Sequence, residues 1–114
     1  MATFSYKLLA QVIPGTAAAQ IYAAATNPST QTIIRQVTAI NTVGSNVTYD
    51  LFQNGSATIN KIGKGTSLVP ANTGTADGSD VFDCYLAMAP ANTVWAKAGA
   101  SNAIVLSMWG VEIT

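Results

Sequence analysis

The chain has 114 residues, with five basic and five acidic side chains, a single cysteine and no histidine. That length suits one domain around one modest core, residues 1–114. The balanced charge leaves no basic stripe for a nucleic-acid backbone, and without histidine the commonest general base, zinc ligand and nucleophile partner are gone.

In chain order, the recurring unit is a run of β-branched and aromatic residues closed by Gly, Pro, Asn or Ser. Residues 5–13 (SYKLLAQVI) end at Pro14-Gly15, a turn signal. Residues 19–25 (AQIYAAA) are rich in alanine, but Asn27-Pro28 closes the segment before a stable helix can form, so they read as a short edge strand. Residues 31–42 predict the strongest strand, because Ile33, Ile34, Val37 and Ile40 lie among threonines that helices tolerate poorly.

Alternation in residues 46–53 sends Val47, Tyr49 and Leu51 one way and Thr48, Asp50 and Phe52 the other. Asn54-Gly55 then predicts a tight hairpin, with residues 57–63 as the return strand. Residues 63–80 are polar, with a short strand expected near 67–69 and an exposed loop over 73–80. Strands follow at 81–88, 93–98 and 103–113, with Pro90-Ala91-Asn92 and residues 99–102 as turns. Seven to nine short antiparallel strands with no long helix predict an all-β fold: a single β-sandwich of jelly-roll type, or else a small closed β-barrel.

Few residues offer chemistry. Asp77, Asp80 and Asp83 lie close enough to suggest an ion-binding loop, but the calcium-loop spacing and its closing Glu are missing, so an Asp-rich turn is the simpler reading. Asp50 reads as a surface charge on the outward face of its strand. Residues 61–67 (KIGKGTS) fail as a phosphate loop, since Thr58 and Gly65 occupy positions that need Gly and Ser or Thr. The Asn46 and Asn54 glycosylation sequons read as chance matches. Cys84, among Phe82, Tyr85 and Leu86, reads as a small apolar core residue. No cofactor and no catalytic residue is expected. No signal peptide or membrane span is expected either, since the apolar runs are short.

The aromatic residues are spread over nearly every strand, the pattern of core and interface packing. Trp95 and Trp109 lie on the last two strands, as core or subunit contacts or, alternatively, as a sugar platform. Only 9% of the residues are charged, against a typical ~25%, so the surface repels copies of itself weakly. Phe4 and Tyr6 mark residues 1–6 as a docking arm or an added strand.

The order of IYAAATNPSTQTIIRQVTAINT (21–42), NVTYDLFQNG (46–55), LAMAPANTVWAKA (86–98) and a closing IVLSMWGVEI (104–113) resembles a loose group of short tailed-bacteriophage virion proteins. The resemblance runs over nearly the whole chain and departs from the group at residues 27–30. It implies a β-sandwich that decorates or cements a capsid, often as a trimer, or else a tail, fibre or baseplate subunit. Its partners would be further copies and the major capsid protein, with assembly in the host cytoplasm. The group shares no active site, so no residue role follows from it.

Overall fold

The computed structural model describes residues 3–27, 29–72 and 78–114, with backbone alone at 63–65. Eight strands occupy the described residues: β1 (Phe4–Val12), β2 (Ala19–Ala23), β3 (Gln31–Asn41), β4 (Val47–Gln53), β5 (Lys61–Val69), β6 (Ser79–Met88), β7 (Thr93–Ala98) and β8 (Ile104–Ile113). They form two four-stranded sheets, ordered β1-β8-β3-β6 and β2-β7-β4-β5. Every ladder is antiparallel. The chain changes sheet at each connection except β4 to β5, which gives a jelly-roll-like sandwich. Because the two sheets share no ladder, the fold is not the closed barrel that the sequence left open.

Alternation explains what meets between the sheets. Ile34, Val37 and Ala39 of β3, Ile104, Leu106 and Met108 of β8, Tyr49 and Leu51 of β4, and Val94 and Ala96 of β7 are almost wholly buried in one cluster. Each large aliphatic side chain in it contributes about 1.5–3 kcal/mol. Tyr49 reaches across the sandwich, and its hydroxyl donates to Asp80 Oδ2 at 2.8 Å, tying β4 to β6. Gly110 sits where the backbone of β3 presses closest. A Cβ there would lie 2.3 Å from the Ile33 carbonyl oxygen, so only glycine fits.

The Asn54-Gly55 segment does join β4 to β5, but not as a tight hairpin. The last paired residues are Phe52 and Lys61, and a 3-10 turn over Thr58–Asn60 fills the connection. Side-chain bonds explain the opening. Asn54 Oδ1 accepts from the Thr93 amide at 2.9 Å, and Asn60 Nδ2 donates to the Gln53 carbonyl at 2.9 Å. The return strand therefore starts at Lys61 instead of Ala57, and it continues through the expected 67–69 strand.

Candidate assembly surface

The sheet β1-β8-β3-β6 buries one face in the core, and its ladders fix what the other face presents. Register places Phe4 beside Ile113 and Gln31, then Tyr6 beside Val111, Ile33 and Ala87, then Leu8 beside Trp109, Gln36 and Asp83. Val81, Tyr85 and Ile40 lie further along the same side. Phe4, Tyr6 and Tyr85 are each more than 60% exposed, and Leu8, Ile40 and Val81 are exposed as well. One side of the molecule is thus a sheet face four strands wide, on which exposed apolar and aromatic side chains stand among polar ones such as Gln31, Gln36, Thr38 and the bonded pair Gln11–Ser107. Faces of this kind mark interaction surfaces, because an isolated soluble chain gains nothing by wetting them.

The charges on this face are one of each sign. Arg35 bulges out of the ladder between β3 and β8, and its guanidinium lies 5.3 Å from the centre of the Tyr85 ring. Asp83 Oδ1 accepts from Gln36 Nε2 at 3.0 Å. Lys7 and Glu112, an ion pair, belong by register with the inward-facing Ile34 and Thr32. A shallow cleft of about 290 Å³ opens at the middle of the face, lined by Tyr6, Arg35, Gln36, Asp83, Cys84 and Val111. The Cys84 thiol donates to the Ile34 carbonyl at 3.4 Å. Burial, first of all, pushes its pKa up, and the facing Arg35 offsets this only in part. A thiol held protonated is a poor nucleophile.

The sequence had singled out Phe4, Tyr6, Trp95 and Trp109. The structure brings Phe4, Tyr6 and Trp109 together on this face, with Trp109 half-buried between Leu8 and Gln36. Phe4–Tyr6 are held in the β1 ladder, and Thr3 exchanges two backbone bonds with Thr114, so this stretch is an edge strand rather than a hanging arm. Trp95 lies on the opposite outer face, beside Phe52 and Gln20, and its Nε1 donates to Thr93 Oγ1 at 3.0 Å. The two tryptophans therefore share no platform. Sequence reasoning passed over Arg35, Ile33, Ile40, Val81 and Tyr85. The signal for them was apolar residues on both sides of the alternation in 31–42 and 81–88.

On that opposite face Asp50 points outward, as its alternation requires, yet its side chain is only 8% exposed. It is no solvent-facing charge. Lys61 and Lys97 flank its Oδ2 at 3.7 and 3.6 Å, and Oδ1 is buried without a hydrogen-bond partner. A cleft of about 260 Å³ beside it is lined by Thr16, Thr48 and Gly99. Of the acid cluster, Asp80 faces inward to Tyr49 and Asp83 outward to Gln36, while Asp77 lies outside the described residues. Among the described residues no group of three acids and cysteines could hold a metal ion, and no helix is long and apolar enough to cross a membrane.

No protein-family model and no curated protein matches the sequence. Solved structures do match the fold. A chain from the acid-stable capsid structure of Helicobacter pylori bacteriophage KHP30 superposes with a TM-score of 0.58 at 12% identity, covering 100% of this chain and 94% of that one. A chain from the virus-like particle of the giant freshwater prawn (Macrobrachium rosenbergii) extra small virus gives 0.56 at 7% identity, covering 98% and 79%. At such identities the likeness is one of fold.

Proposed function

We propose that the chain is a non-enzymatic structural subunit of a virus particle, and within that reading a decoration (cement) protein on the outside of a bacteriophage capsid. The observation that carries it is the outer face of β1-β8-β3-β6, which is four strands wide, exposes large apolar side chains and bears one charge of each sign. The fold shared with chains of two viral particles supports the same reading. The mechanism is mass action. A subunit that binds only the assembled shell lowers the free energy of that shell by its own binding energy, repeated at every site. A trimer straddling neighbouring capsid subunits would present three β1 edges in one unit as docking strands.

The test is reconstitution. Purified chain is added to particles stripped of it, and binding and shell rupture temperature are followed. Saturable binding at hundreds of copies per particle with a raised rupture temperature is the expected result. A handful of copies per particle would move the protein to the tail, fibre or baseplate, and no binding to any particle would end the virion reading.

A further inference from the structure

We infer that the outer face of β1-β8-β3-β6 is covered by a second copy of this chain, with Arg35 of one copy paired to Asp83 of the next. The inference rests on the reading of this face as an assembly surface and adds its occupant. Three observations favour a like partner. The first is charge. Asp83 by register and Arg35 by its position over Tyr85 are the charged residues of the face, both line its central cleft, and the Gln36 bond takes only Asp83 Oδ1. A face that carries one charge of each sign can pair them both when it meets its own kind, whereas a face charged with one sign alone would set like against like. A face meeting a different protein needs no such balance.

The second is size. Four strands about 4.8 Å apart and about 30 Å long span roughly 600 Å² before side-chain relief, close to the ~800 Å² per partner of a standard interface. The third is composition. Phe4, Tyr6, Tyr85, Trp109 and a lone Arg35 already stacked on an aromatic ring are the residue types that interface centres favour, and lysine is absent from the face. Stacking on Tyr85 holds the guanidinium in place, so less freedom is lost when it meets a carboxylate.

The experiment measures self-association of the full chain by sedimentation and mass photometry for the wild type, R35D, D83R and the doubly swapped R35D/D83R. Thermal melts of dilute samples confirm that each variant folds. A discrete dimer or trimer is expected for the wild type. Each single reversal should weaken association by at least about tenfold, because like charges then face each other, and the double swap should recover most of it. A folded wild type that stays monomeric at high concentration overturns the inference, as does a double swap no better than the singles. Particle binding is scored separately. A monomer that still saturates the shell refutes this pairing and leaves the virion role standing, whereas an oligomer that binds no particle does the reverse.

Discussion

Asp50 shows how a single residue can be read correctly for direction and wrongly for environment. Alternation places it outward, and the structure agrees. Lys97 stands directly opposite Asp50 on β7, and Lys61, which pairs with Phe52 on β5, reaches back to the same carboxylate. Those neighbours come from two other strands, so no local pattern could reveal them. A carboxylate out of water is costly unless opposite charges compensate, and here one oxygen is flanked by two ammonium groups while the other has no hydrogen-bond partner. Replacing Asp50 with Ala should leave the two lysines converging on an emptied pocket. Both lysines are partly exposed, which trims the effect, so the expected loss is about 1–3 kcal/mol of unfolding free energy in urea. K97A should cost less than D50A, because Lys61 remains near the carboxylate. A D50A chain as stable as the wild type would show that the lysines do not depend on it.

At the scale of elements, strands were legible and their connections less so. β3 and β8 could be placed from β-branched runs bounded by Asn and Gly, because the signal lies inside each strand. The β4–β5 connection was misjudged, since Asn54 spends its side chain on the distant Thr93 amide instead of closing a two-residue turn. The Tyr49–Asp80 bond, which clasps the two sheets, was equally invisible, as both partners look like ordinary strand residues. It carries a pH signature. Burial first, and then the Asp80 carboxylate, raise the Tyr49 pKa above its usual value near 10. A group whose folded pKa lies above its unfolded one adds stability that is complete below the unfolded value and disappears as pH rises through the folded one. Stability should therefore fall as pH climbs above about 10. Y49F should lose about 1–2 kcal/mol at pH 8 and then decline less steeply in alkali. Tyr22, also raised mainly by burial, supplies part of the remaining slope. Identical alkaline slopes in urea titrations of the two proteins would remove Tyr49 from this account.

For the whole molecule, the two outer faces differ in kind. The β2-β7-β4-β5 face holds a buried ion-pair cluster and a tryptophan whose ring nitrogen is already bonded. The β1-β8-β3-β6 face leaves large apolar side chains in water. Sequence reasoning reached three residues of the second face by composition alone, and it could not tell that they shared a face, because Phe4, Tyr6 and Trp109 are aligned only through the pairing of the first strand with the last. If that face is the working surface, binding should concentrate at its rigid aromatic anchors and ignore equally exposed residues elsewhere. The F4S/Y6S double variant removes two anchors from an edge strand without touching the core, so its melting temperature should stay within a few degrees of the wild type. Its self-association, and through it the oligomer's affinity for stripped particles, should fall by at least about tenfold. Ile59 is the control. It is 93% exposed, but it sits in the β4–β5 connection, away from this face. I59S should bind particles as the wild type does. Should I59S lose binding while F4S/Y6S retains it, the contact would belong to the β4–β5 end of the sandwich, and the β1-β8-β3-β6 face would need another occupant.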